Sequence, residues 1–228
     1  MTIALPFRRL YSSKVWLARQ AKDPYVKLAK ESNFRARSSF KLIQIDKKYS
    51  IFQKNDIVVD CGAAPGGWTQ VAARKVGRQG LVVGIDLLPV EPFSTKDQNI
   101  QLIEGNFMTT KTQKKIKDML NGQYVNVVLT DMAPNFSGNH LRDHARSIEL
   151  CESVLTFAKA NLLPGGHFIA KFLAGGTEGE FKRKLQSEFQ KVMYVKPDAS
   201  RKQSSEGYYV AMDFKPSATK TESNENDE

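Results

Sequence analysis

One run constrains the fold more than any other: Val58-Val59-Asp60-Cys61-Gly62-Ala63-Ala64-Pro65-Gly66-Gly67-Trp68. A short β-branched segment ends in an acid, a turn dense in Gly and Pro follows, and helix formers resume at Thr69-Gln70-Val71-Ala72-Ala73. Strand, Gly-rich turn and helix in that order open a nucleotide-binding α/β unit. Glycine lets the backbone approach a ligand closely, and the next helix begins with free N–H groups. The spacing is not G-x-G-x-x-G, so a buried strand-to-helix turn without a ligand has the same local appearance. The rest of the chain decides between the two.

Downstream, strand and helix patterns alternate. Leu81–Asp86 reads as a second strand, ending in an acid 26 residues after Asp60, and residues 100–104 as a weaker third. A Lys-rich helix over 111–121 precedes the apolar strand Val125–Asp131, again closed by an acid. A long helix over 143–161 is expected to stop at Pro164-Gly165-Gly166, followed by the strand His167–Lys171. A helix over 178–189 and strands at Val192–Val195 and Tyr208–Phe214 complete the pattern. Continuous apolar strands between helices indicate an α/β fold with a mostly parallel sheet covered on both faces. Ligands of such sheets bind beyond the carboxyl ends of the strands. Asp60, Asp86, Asp131 and Lys171 gather there, and Asp86 is placed to accept hydrogen bonds from ribose hydroxyls.

Charge is unevenly spread along the 228 residues. Residues 1–55 hold 13 Lys and Arg against 3 Asp and Glu, a surplus equal to the +10 of the whole chain. Such a basic region suits a polyanion, nucleic acid above all, although a solvated basic face has the same composition. No apolar run reaches the ~20 residues needed to span a bilayer. Residues 1–16 carry Arg8, Arg9 and Lys14, with serines and no acid, as mitochondrial transit peptides do; a basic RNA-binding arm reads the same way. Residues 17–215 read as a single domain with a basic extension, and 216–228 as a disordered acidic tail. Cys61 and Cys151 form no C-x-x-C pair, and His140 and His144 read as polar helix decoration, so no metal site is expected. The segment Arg37–Asp46 reads as an amphipathic helix capped by a serine, with Lys41 on its polar side.

Several motifs resemble the FtsJ-type RNA 2′-O-methyltransferases. They are Arg37-Ser38-Ser39-Phe40-Lys41-Leu42, Gly62-Ala63-Ala64-Pro65-Gly66-Gly67-Trp68, Asp86-Leu87-Leu88-Pro89 and Asp131-Met132-Ala133-Pro134-Asn135. Pro164-Gly165-Gly166 before Lys171, and Lys196-Pro197-Asp198-Ala199-Ser200-Arg201 running into Glu206, continue the series. The run Ser200–Glu206 and the arginine-bearing start look most like the mitochondrial branch of that family. The resemblance implies a Rossmann-like class I methyltransferase fold, with a seven-stranded sheet whose last strand is antiparallel. It implies S-adenosylmethionine as cofactor and a Lys-Asp-Lys-Glu tetrad, which falls on Lys41, Asp131, Lys171 and Glu206.

A ribose 2′-hydroxyl is a poor nucleophile and must lose its proton as it attacks the methyl group. Lys171 is the expected base and must be neutral to act. Asp131 and Glu206 orient the two lysines, and no metal is needed, because a neutral thioether departs. For the cofactor, the resemblance implies Pro65, Gly66, Gly67 and Trp68 along the methionine moiety, Asp86 on the ribose and Asp131 beside them. Asn106, before Phe107, stands where the family has an acid against the adenine; an amide oxygen can still accept there. Trp68 and Phe107 are equally readable as core residues. Arg8, Arg9, Arg19, Lys22, Lys27, Lys30, Arg35, Arg37, Arg201 and Lys202 are expected to meet RNA phosphates. The implied activity is 2′-O-methylation of a uridine in mitochondrial large-subunit rRNA, free or in a ribosomal particle, by a monomeric enzyme of the matrix. A tRNA 2′-O-methyltransferase and a non-catalytic ribosome assembly factor on the same fold remain as other readings, the second disfavoured by four intact tetrad positions.

Overall fold

The structure, a computed structural model, describes residues 21–94 and 98–216. The stretch 1–16, expected to be a transit peptide, and the expected acidic tail beyond Pro216 lie outside the described residues. The chain runs α1 (Pro24–Glu31), α2 (Ser39–Tyr49), β1 (Ile57–Cys61), α3 (Gly67–Val76), β2 (Leu81–Asp86), β3 (Ile100–Glu104) and α4 (Thr110–Leu120). It continues with β4 (Val125–Thr130), α5 (His140–Asn161), β5 (Leu162–Leu173), α6 (Glu178–Glu188), β6 (Phe189–Val195) and β7 (Glu206–Phe214).

The seven strands form one sheet in the order β3-β2-β1-β4-β5-β7-β6. The pairs among β3, β2, β1, β4 and β5 are parallel, and β7 is antiparallel to both β5 and β6. The strand order reverses between β1 and β4, which opens a crevice at their carboxyl ends. Alternation along β1 divides the core. Val58 packs with Leu42, Ile45, Trp68 and Val71 under α2 and α3. Val59 and Cys61 face Phe107, Ile116, Val154 and Phe157 under α4 and α5. A strand buried on both faces has to be apolar throughout, which is why these segments show no polar alternation.

Two local expectations change, and one helix is added. Helix α5 ends at Asn161 because pairing with β4 resumes at Val125↔Leu162, so Pro164-Gly165-Gly166 lies inside β5 as an irregularity, with a register shift between Val125 and Val127. Helix α1, unmarked by periodicity, starts from Asp23, whose side chain accepts the Tyr25 N–H, with Pro24 in the first turn. Ser38 occupies the N-cap position of α2 without a side-chain cap bond, and the Ser39 hydroxyl instead donates to the Gly67 carbonyl at 3.1 Å. That bond ties α2 to the Gly-rich turn.

Candidate active site

The crevice holds a cavity of about 320 Å³, within the range of small-molecule sites. Four strand ends contribute to it: Gly62 and Ala64 after β1, Asp86 and Leu87 at β2, Gly105, Asn106, Phe107 and Met108 after β3, and Asp131 and Met132 after β4. The Asp86 carboxylate accepts the Ala64 N–H at 2.9 Å and the Leu88 N–H at 2.8 Å, which fixes its orientation in the wall. Asn106 Oδ1 accepts the Met108 N–H at 2.9 Å, a local turn bond that keeps its amide at the cavity surface. Phe107 is both wall and core: it is 3% exposed and packs edge-on against Phe157 at 5.5 Å.

Beside the cavity stand two ion pairs. Lys171 Nζ lies 3.0 Å from Asp131 Oδ1 and also donates to the Asp131 carbonyl. Lys41 Nζ lies 2.6 Å from Glu206 Oε1. All four side chains are largely buried, at 11–16% exposure, where a lone charge is costly and a paired one is tolerated. Tyr208 joins the pairs. Its hydroxyl donates to Asp131 Oδ1 at 3.1 Å, and Lys41 Nζ sits 5.8 Å from its ring centroid. Burial pushes the Tyr208 phenol well above its ordinary value, with the Asp131 and Glu206 charges adding to the effect, so it stays a donor. The register explains the assembly. Lys171 pairs with Tyr208, and Leu173 with Glu206, so Tyr208 and Glu206, two residues apart on β7, share the face that meets α2.

Lys41 therefore leaves the polar side that the helical pattern gives it; at 9% exposure it is buried against Glu206. Tyr208 escaped sequence reading because a tyrosine opening an apolar strand looks like core. Its register opposite Lys171 is the feature that singles it out.

Of the Gly-rich turn, Gly62 and Ala64 line this cavity, and Pro65, Gly66, Gly67 and Trp68 follow Ala64 directly in the chain. A Cβ on Gly66 would meet Phe93 at 2.8 Å and Arg35 at 2.9 Å, and one on Gly67 would meet the Ser39 hydroxyl at 2.9 Å. These glycines admit the close approach of Arg35, Phe93 and Ser39. Trp68 is 2% exposed, donates its indole N–H to the Ser38 carbonyl at 3.0 Å and packs 5.8 Å from Tyr208, so it belongs to the core.

The expected row of phosphate-facing cations is divided as well. Arg35 donates to the carbonyls of Glu91 and Pro92 and covers the Phe93 ring at 3.6 Å. Arg37 is paired with Asp23 and donates to the Ala199 carbonyl, and Arg201 reaches Asp23 at 3.3 Å. Intramolecular partners thus occupy these three, whereas Lys22, Lys27, Lys30 and Lys202 are exposed; Arg8, Arg9 and Arg19 lie outside the described residues. His144 is no decoration. It is 2% exposed, its Nδ1 meets the Leu173 carbonyl, and its Nε2 meets Thr177 Oγ1 at 2.5 Å, locking α5 to the end of β5. Both cysteines are free and buried, and among the described residues no cluster of His, Cys, Asp or Glu could hold a metal.

Residues 34–214 match the family described as FtsJ-like methyltransferase. The chain belongs to the FtsJ-like methyltransferase family. Over 208 residues it is 44% identical to the Ribosomal RNA large subunit methyltransferase E of Acidiphilium cryptum, covering 91% of this chain and 89% of that protein. The protein of the same name from Novosphingobium aromaticivorans is also 44% identical over 208 residues, covering 91% of each. Among solved structures, one described as a candidate ribosomal RNA methyltransferase from Plasmodium falciparum superposes with a TM-score of 0.71. It is 30% identical, over 79% of this chain and 98% of that one.

FtsJ-like methyltransferases use S-adenosylmethionine as methyl donor, and the cavity fits it. Asp86 offers carboxylate oxygens to a ribose, Asn106 offers an amide, and Ile85, Phe107, Met132 and Leu150 give apolar walls for a base. Asp131 lines this cavity while holding Lys171, so cavity and ion pair share one residue.

Proposed function

We propose that this FtsJ-like methyltransferase methylates the 2′-oxygen of a ribose, that of a uridine, in large-subunit rRNA, and that it works in the mitochondrial matrix as a monomer. The observation that carries the chemistry is the pair of buried Lys–carboxylate contacts bridged by Tyr208 at the rim of the donor cavity. Bound there, S-adenosylmethionine supplies a methyl group activated by its sulfonium. Lys171 Nζ, neutral when it reacts, takes the 2′-hydroxyl proton, and Asp131 stabilises the ammonium that forms. Lys41, oriented by Glu206, presents its remaining N–H groups to oxygens of the nucleotide.

The substrate reading is supported by the names of relatives that share nearly the whole length of the chain. The location is supported by the acid-free, arginine-bearing start. Methyl transfer from labelled S-adenosylmethionine, measured on large-subunit particles and on tRNA, tests the activity. The wild type is expected to label large-subunit rRNA at an alkali-resistant ribose, and Lys171→Ala to lose at least ~100-fold in rate. Full activity in Lys171→Ala overturns the mechanism, and preference for tRNA overturns the substrate. Cofactor binding with no transfer to any RNA favours an assembly factor. A reporter fused to residues 1–16 that stays diffuse in the cytosol overturns the location.

A further inference from the structure

The loop after Asp131 turns an aromatic ring to solvent. Phe136 is 69% exposed, as is Leu141 in the first turn of α5. This loop is tied at several points. Ser137 N and Oγ both donate to Asp143 Oδ1, at 2.8 and 2.7 Å, and Asn139 N donates to Ser137 Oγ at 3.3 Å. The Asn139 side chain caps α5 by accepting the Arg142 N–H at 3.0 Å, and Arg146 donates to the Asn135 carbonyl at 3.4 Å. Phe136 is therefore exposed on a fixed support, and binding through it costs little ordering.

The adjoining residue, Asn135, lines a groove of about 320 Å³ whose apolar surfaces are Met108, Pro134 and Leu150 and whose charged rim is Arg146 and Glu149. Met108 and Leu150 line the donor cavity too, so groove and cavity share a wall. Exposed Arg142 and Arg146 outnumber the one exposed acid, Glu149, on this part of α5. A planar apolar ring and a base-sized groove that shares a wall with the donor cavity, with two arginines close by, match a nucleotide better than a protein side chain.

We propose that Phe136 and this groove receive an unpaired nucleotide flanking the target in the RNA, with its base stacked on Phe136 and its phosphate against Arg142 and Arg146. The inference rests on the proposed function in taking RNA as the substrate, and it adds a stacking residue outside the tetrad. An unpaired neighbour is required because a base must leave its helical stack before a side chain can cover its face.

The test uses the full chain, Phe136→Ala and Phe136→Tyr, with a fluorescein-labelled oligouridylate and a duplex RNA of equal length. Phe136→Ala is expected to weaken single-strand binding about tenfold, with duplex binding unchanged and Phe136→Tyr within about twofold of wild type. In methyl transfer, Phe136→Ala should raise the KM for RNA while S-adenosylmethionine binding and thermal midpoint stay in place. A change under about twofold in oligouridylate affinity, or an equal loss on duplex, overturns the proposal. A defect that appears only when ribosomal proteins are present overturns it in favour of a protein partner. If the wild type methylates rRNA and Phe136→Ala binds normally, this inference alone fails. If Phe136 governs single-strand binding yet no RNA is methylated, the proposed function fails and the inference is overturned as a site flanking a methylation target.

Discussion

Tyr208 spends its hydroxyl on Asp131 and its ring on Trp68 and Lys41, so one side chain sets the positions of both ion pairs. A hydrogen bond from a buried phenol to a carboxylate is charge-assisted and stronger than a neutral one. Without it, Asp131 keeps only Lys171 as a side-chain partner in this cluster and can rotate away from the geometry the reaction needs. Tyr208→Phe keeps the ring and the packing and removes that single bond. Its kcat should fall about tenfold, while S-adenosylmethionine affinity changes little and the thermal midpoint moves by only a few degrees. Steady-state kinetics with a paired thermal melt checks this. An unchanged kcat would mean that Asp131 is held by Lys171 alone.

At the scale of elements, the sheet was legible and its attachments were not. β2 and β3 appear with the bounds their sequence predicts, because a strand buried on both faces writes its burial directly as an apolar run. The acids that close β1, β2 and β4 were legible for a related reason, since each interrupts such a run. Helix α1 gave no comparable signal. Ala29 is its one buried residue, and its position depends on Asp23 meeting Arg37 and Arg201, the latter 178 residues away in sequence. The packing around Gly66 and Gly67 was hidden in the same way. Their need for space comes from Arg35, Phe93 and Ser39, which chain spacing does not bring to the turn. His144 shows the same limit: a Cβ on Gly175 would overlap its ring, and only the folded chain puts Gly175 there. Motif order singled out Lys41, Asp131, Lys171 and Glu206, which the fold joins as two ion pairs, because they sit on strand ends and on one helix whose order the topology dictates. Tyr208 has no such marker, since its function is set by register across β5 and β7.

For the molecule as a whole, stability against pH is set in part by a carboxyl at the centre of the sheet. Asp60 is fully buried; it accepts the Thr69 hydroxyl at 2.6 Å, and its Oδ1 has no hydrogen-bond partner among the described residues. Burial, reinforced by repulsion from Asp131 and Asp86 and opposed by Thr69, raises its pKa from 3.8 to about 7. The folded chain therefore keeps this proton between about pH 4 and 7, where the unfolded chain has lost it. Stability contributed at Asp60 is fully present below about pH 4, declines as pH rises to about 7, and is level above that. His167 acts in the opposite sense. Burial lowers its pKa, so the unfolded chain gains a proton that the folded one resists, and stability falls as pH drops below about 6.5. Because the two trends overlap, the wild-type curve alone does not separate them, but a difference curve does. Asp60→Asn preserves the size of the side chain and an acceptor for Thr69, and leaves His167 untouched. In denaturant unfolding, the stability of Asp60→Asn relative to wild type should rise between about pH 4 and 7, by on the order of a few kcal/mol, and then plateau. A difference that stays flat across that window would show that Asp60 does not hold its proton in the folded chain, and the repulsion among the three strand-end acids would then have to be relieved elsewhere.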